Sequence, residues 1–258
     1  MKDLGWFEER GDIHVRYIAM PSEFDRIQFM EDWLVKEHVS FDRSNGVKVA
    51  HADEVASYDP SQRLKRFGFG MTPAEIGCFL AHKACWEAST AENITMLILE
   101  SDVSPVQPGV ISQLLHDLDQ KLEEDDRTLI RLHGIFPKNE KFLRSISKLS
   151  GDYRLVQTLF DPMGAGAYVV TPYSSAKLLE SSLTFFEPVD VFLSHTWRYR
   201  LPFRTVKPYP FEVADFPSVI GEDRRRPRQS LCKRLSIELN RAFDDWRRLV
   251  YLPRHFWG

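Results

Sequence analysis

The chain has 258 residues, 43% of them hydrophobic and 28% charged, with a formal net charge of −3; this is ordinary globular composition, long enough for a large core, and one domain with a small appendage is expected. Three cysteines, Cys78, Cys85 and Cys232, are too few and too scattered for a disulfide framework or a zinc cluster. No basic leader with an apolar segment opens the chain and no stretch is long enough to span a bilayer, so export is not expected and a reducing cytoplasm is.

Residues 13–18 alternate apolar and polar side chains and predict a first strand. Met20-Pro21-Ser22 ends it, and Ser22 is placed to cap a helix running to about Lys36, with Phe24, Ile27, Met30 and Leu34 inward. A strand, turn and helix at the start of an α/β protein can present backbone amides to a phosphate or nucleotide. No Gly-x-Gly-x-x-Gly and no P-loop occurs, which leaves dinucleotide and NTPase functions without support. Residues 38–71 carry turn signals (Ser44-Asn45-Gly46, Asp59-Pro60) and end in Arg66-Phe67-Gly68-Phe69-Gly70, a loop whose glycines suit mobility or close packing.

The stretch 72–103 organises the rest. Thr72, Pro73 and Glu75 form a capping-box signature. Ile76, Phe79, Leu80, Lys83 and Trp86 then follow at helical spacing, with Cys78, Ala81 and Cys85 filling in. Met96-Leu97-Ile98-Leu99 is a continuous apolar run that fits a central strand covered on both faces. It delivers Glu100, Ser101 and Asp102. Side chains at i and i+2 of an extended chain share one side, so Glu100 and Asp102 can converge while Ser101 points away. Two carboxylates beyond the carboxyl end of a buried strand lie where open α/β sheets bind ligands. Their hard oxygens favour Mg²⁺ or Mn²⁺; a solvated acidic turn is the other reading.

Further along, Pro105 and Pro108 break the chain and 110–122 has helical spacing. Strands are expected at 128–133, 153–160 and 166–171, and Thr171-Pro172 restarts a helix with the same cap logic. Gly164 and Gly166 permit close backbone approach, either as a wall facing an acceptor or as a bulge. Asp190 leaves an apolar segment after Phe185, Phe186 and Pro188. It reads as a carboxylate with a raised pKa, suited to base work, or as a helix cap. His195 reads as a further metal ligand or a surface residue, and His82 as a packing residue on its helix.

Residues 230–252 predict one amphipathic helix, with Leu231, Leu235, Leu239, Phe243, Trp246 and Val250 on one face and Arg234, Arg241 and Arg248 opposite. Residues 222–258 hold ten Arg and Lys against five acids, or +5, which leaves −8 for the rest of a chain at −3. The helix either packs on the domain or docks on an anionic membrane. No recognised nucleic-acid module accompanies the charge, so no nucleic-acid partner is expected.

Three blocks in this order resemble glycosyltransferase family 25, the group of lipooligosaccharide and collagen galactosyltransferases. They are Thr72-Pro73-Ala74-Glu75-Ile76-Gly77-Cys78 with His82, then Leu97-Ile98-Leu99-Glu100-Ser101-Asp102-Val103, then 164–170 with Ala176-Lys177-Leu178-Leu179 and Pro188-Val189-Asp190. Two departures stand out: the family usually shows Glu-Asp-Asp at the acidic triplet and Ile-Asn-Leu at the end of its first strand, here Tyr17-Ile18-Ala19-Met20. The resemblance implies a GT-A (Rossmann-like) α/β domain over 1–221 with a mostly parallel sheet, followed by the basic segment and helix of 222–258. It implies inverting transfer of a hexose, galactose from UDP-galactose, to a glycan or lipid-linked acceptor in surface-glycan synthesis at the cytoplasmic side of the membrane. Under it, Asp102 and Glu100 hold Mn²⁺ or Mg²⁺, and Arg26, Glu75, His82, Glu100 and Ser101 are candidate contacts for the nucleotide-sugar. Arg26 then pairs with diphosphate oxygens, its other reading being a solvated helix charge. Asp190 is the expected base, with Asp161 and Asp215 in reserve. A non-catalytic sugar-nucleotide or glycan-binding protein on the same fold is the alternative.

Overall fold

The computed structural model describes residues 13–135, 142–159 and 162–216, together with separate helical positions between 237 and 250. The first strand forms as β1 (His14–Ala19), burying Val15, Tyr17 and Ala19 in strict alternation. Helix α1 (Phe24–Lys36) buries Ile27, Met30, Trp33 and Leu34. Its cap differs from the expectation: Glu23, not Ser22, occupies that position and accepts the Met20 N–H at 3.1 Å, and Phe24 stays exposed. The stretch 38–71 holds a strand, a short 3-10 turn (Ala52–Glu54) and a helix, and the loop expected at 66–70 begins inside the last turn of that helix. β2 (Phe41–Asn45) is a short, polar edge strand, and α2 (Pro60–Phe67) is capped by Asp59, which accepts the Gln62 N–H, and closed by Gly68 at φ +81°.

Helix α3 (Pro73–Glu92) begins with the capping box in full: Thr72 Oγ1 accepts the Glu75 N–H at 3.2 Å and Glu75 Oε2 accepts the Thr72 N–H at 2.9 Å. It ends at Asn93 in the left-handed region, a common helix stop. A Cβ on Gly77 would lie 2.1 Å from the Val47 carbonyl oxygen, so α3 crosses the segment after β2 at backbone contact. The apolar run becomes β3 (Met96–Glu100), with Met96 to Leu99 fully buried. β4 (Val103–Pro105) and α4 (Ile111–Glu124) follow. No side chain caps α4 locally; instead Glu37, at the end of α1, accepts the Gly109 and Ile111 N–H groups. Next come β5 (Leu129–Arg131), β6 (Phe142–Lys148), β7 (Arg154–Thr158) and β8 (Ala167–Val170). α5 (Pro172–Ser181), with its own Thr171–Ser174 capping box, leads to α6 (Val189–Leu193), α7 (Thr196–Tyr199), β9 (Phe203–Lys207) and β10 (Phe211–Val213).

The main sheet has the order β2-β1-β3-β8-β5-β9-β7-β6, and β10 pairs with β4 in a separate ribbon. It is mixed. β1 runs parallel to β2 and β3, and β5 to β9; β8 is antiparallel to both neighbours, and β7 to β9 and β6. Following these pairings, only β7 and β8 run against the common direction. The carboxyl ends of β1, β2, β3, β5 and β9 and the amino end of β8 therefore meet at one edge. Helices α1 and α4 cover one face through Val15, Leu97 and Leu99; α3, α5 and α6 cover the other through Met96, Ile98 and Tyr168. Both faces are buried, as the continuous apolar run of β3 requires.

Candidate active site

β3 stops at Glu100, and Ser101 and Asp102 make the turn into β4. Ser101 is buried, whereas the Glu100 and Asp102 side chains remain partly exposed. The Glu100 N–H is held by the Gly166 carbonyl at 2.9 Å. That contact needs glycine: a Cβ on Gly166 would lie 2.8 Å from His133 Nδ1 and 3.0 Å from Val103 Cγ1. Gly164, at φ +113°, makes a similar approach to Ile135 and His133. The two glycines thus bring the segment before β8 against the ends of β3 and β5.

Under Glu100 lies a buried polar chain. Trp86 Nε1 can only donate, and it donates to the Tyr168 hydroxyl at 2.9 Å. Tyr168 Oη lies 2.8 Å from His82 Nδ1, and His82 Nε2 lies 3.3 Å from Glu100 Oε1. We assign the tautomer that satisfies every member: Tyr168 donates to Nδ1, and Nε2–H donates to the carboxylate. His82 is wholly buried, so it is a packing residue in place and a carboxylate-orienting residue in contact. The Cys78 thiol, one helical turn before His82, also reaches Glu100 Oε1 at 3.9 Å. Among the described residues, Cys78, His82 and Glu100 are the group whose ligand atoms all fall within 4.8 Å. Burial alone would raise the Glu100 pKa, but the hydrogen bond and positive N–H dipole that His82 presents, with His133 and Arg131 nearby, hold it below the usual range.

Asp102 has the opposite environment. Burial, and then the charge of Glu100, push its pKa up, and Arg26 offsets only part of this. Arg26 Nη1 lies 3.4 Å from Asp102 Oδ2, so the guanidinium predicted for a diphosphate here faces the acidic turn. It also lies over the Phe216 ring, 5.1 Å from its centroid, and Phe216 packs edge-on against Phe29 of α1. The chain after β10 is brought there by the Ala214 N–H, which bonds to the Asp102 carbonyl. Asp102 Oδ1 is buried, and among the described residues it has no hydrogen-bond partner. Two like charges and an unused buried oxygen fit a divalent cation with oxygen ligands.

Glu75 keeps its capping role and is buried. The Cys78 thiol is pushed well above its ordinary value, first by burial and then by the charges of Glu100, Asp190, Asp102 and Glu75. All four carboxylates therefore share one electrostatic neighbourhood. Asp190 enters it because α6 packs on α3: Phe79 stacks on Phe185 at 3.9 Å and meets Phe192 edge-on at 5.1 Å. Asp190 sits in the first turn of α6, with Oδ1 accepting the Val191 N–H at 2.9 Å; the cap position itself belongs to Pro188, with no side-chain cap bond, so Asp190 is not the cap of this helix. His195 is not a member of the Cys78, His82 and Glu100 group, and it is half-buried rather than a surface residue. Its Nδ1 lies 3.0 Å from the buried carboxylate of Glu187, which also accepts from Arg198. Asp215 is exposed, and Asp161 lies outside the described residues.

Sequence reasoning passed over Cys78, Tyr168, Arg131 and His133 as members of this site. The available signal was position: His133 ends a predicted strand, and Cys78 and His82 are four apart on one helix face. The 222–258 segment is described only in part. Ile237, Leu239, Asn240, Trp246, Arg247, Val250 and residues 242–244 are helical, while Leu231, Leu235, Arg234, Arg241 and Arg248 lie outside the described positions. No helix among the described residues is long and apolar enough to cross a membrane.

A family model described as glycosyltransferase family 25 (LPS biosynthesis protein) matches residues 13–193. That span runs from β1 through α6 and contains the acidic turn, the His82 chain and Asp190. No curated protein matches the chain.

Proposed function

We propose, from the premise that this chain belongs to glycosyltransferase family 25, that it moves a hexose, galactose from UDP-galactose, onto a glycan hydroxyl with inversion. The acceptor class that suits an LPS-biosynthesis family is a lipid-linked saccharide. The observation that carries the reading is the acidic turn at the carboxyl end of β3, where Asp102 keeps a buried oxygen without a partner beside the like charge of Glu100.

Asp102 and Glu100 would hold Mn²⁺ or Mg²⁺, which when bound offsets the charge developing on the departing diphosphate. Arg26 is placed to exchange its ion pair with Asp102 for diphosphate oxygens, since a guanidinium matches either anion. Glu100 is kept ionised and oriented by His82, which Tyr168 and Trp86 fix in turn. Asp190, from a different segment, takes the proton of the attacking hydroxyl. A single inverting displacement needs that base opposite the leaving group, so it is expected from an element other than the one carrying the acidic turn, and Asp190 comes from α6. Ser101 and Glu75 serve by holding the turn and the helix start in place.

Calorimetric binding of UDP, with and without Mn²⁺, tests this on wild type and Asp102→Ala. Metal-dependent binding in the wild type and its loss in the variant is the expected result. Absence of UDP binding under every metal condition would overturn the donor assignment.

A further inference from the structure

We propose that the helical face formed by Leu239, Phe243, Trp246 and Val250 docks on an anionic lipid bilayer. These residues recur at helical spacing and thus share one side, yet they are 63%, 53%, 58% and 44% exposed. The apolar side predicted for this segment is therefore not used to pack on the domain at these four positions. The helix is joined to the body by other side chains. Ile237 is buried, and Asp244 bonds to Arg198 at 3.0 Å and to Arg66. Its acid thus faces the protein, while its aromatics face outward, Phe243 and Trp246 stacked at 5.9 Å between centroids. Arg247 is exposed beside them, its guanidinium over the Phe243 ring at 5.2 Å from the centroid.

Charge selects the occupant. Residues 222–258 carry +5 against −8 in the remainder of the chain. A second copy would set two +5 segments against each other, whereas an anionic leaflet attracts them. Aliphatic Leu239 and Val250 flanking a Phe, a Trp and an Arg are the composition of a helix lying in the headgroup plane. The family match ends at residue 193, so this surface lies outside the matched region. Lipid docking does not depend on the transfer reaction, and the two fail separately.

The test is flotation of the full chain with vesicles of phosphatidylcholine, with and without phosphatidylglycerol, at low and high salt. Wild type is expected to float with anionic vesicles at low salt and to lose most of that binding at high salt. Phe243→Ser/Trp246→Ser, at exposed positions, is expected to weaken binding about tenfold or more, with UDP binding unchanged. No flotation at low salt, or equal flotation of the double variant, overturns the proposal. So does lipid-free self-association that the double variant abolishes, because the face would then belong to a second copy.

Discussion

Asp102 and His82 make separable demands on the same turn. Asp102→Asn keeps the shape but removes the charge, and transfer is expected to fall by about 10²–10³-fold; near-normal turnover in an acceptor assay would remove Asp102 from the site. His82→Phe keeps the volume and leaves Glu100 without its orienting donor. A loss of about 10- to 100-fold in turnover is expected, with unfolding midpoints tracked in parallel to separate it from simple loss of fold. At this scale the sequence was informative about Glu100 and Asp102, because two acids after a buried strand have few structural uses. It was silent on Tyr168 and Arg131. Both sit inside strands that read as ordinary core, and only the pairing of β8 with β3 and β5 brings them under Glu100.

Elements with strong local signals were legible. The capping boxes at Thr72 and Thr171 name their helix starts, and the apolar run of β3 names a central strand. β2 was not legible, since Phe41-Asp42-Arg43-Ser44-Asn45 is a polar edge strand that takes its register from β1 rather than from its own pattern. Helix α4 was legible from its spacing to within one residue of its start, but its cap was not, because Glu37 supplies it from far away in sequence. The closest fit between elements is at Gly77. Gly77→Ala would drive a methyl into the Val47 carbonyl, and a cost of about 3 kcal/mol is expected, read as a fall in Tm of about 10 °C. An unchanged Tm would mean that the 46–49 segment yields easily.

Across the whole molecule, an ion network centred on the buried Glu187 ties distant segments together: Glu187 bonds to His195 and Arg198, and Arg198 and Arg66 both bond to Asp244. Burial would raise the Glu187 pKa, but His195 and Arg198 outweigh it and bring it from 4.5 to about 2. A carboxylate depressed on folding contributes stability that is fully present above its unfolded pKa and lost as pH falls through the folded one. Urea midpoints should therefore drop between pH 4.5 and about pH 2, and Glu187→Gln should flatten that part of the profile. Glu187→Ala, which removes the carboxylate that both His195 and Arg198 bond to, is expected to cost about 3–5 kcal/mol at neutral pH.

The mixed sheet was anticipated only as mostly parallel, because strand direction follows from pairing and not from the composition of a single strand. Its order has a practical effect on where the chain can be cut. The family match stops at residue 193, but β9 lies between β5 and β7, and β10 supplies the partner of β4 directly after the acidic turn. A fragment of residues 13–193 would lose an interior strand and expose two raw edges, a template for intermolecular pairing. Such a fragment is expected to aggregate on expression, whereas one ending after Phe216 retains every strand found among the described residues.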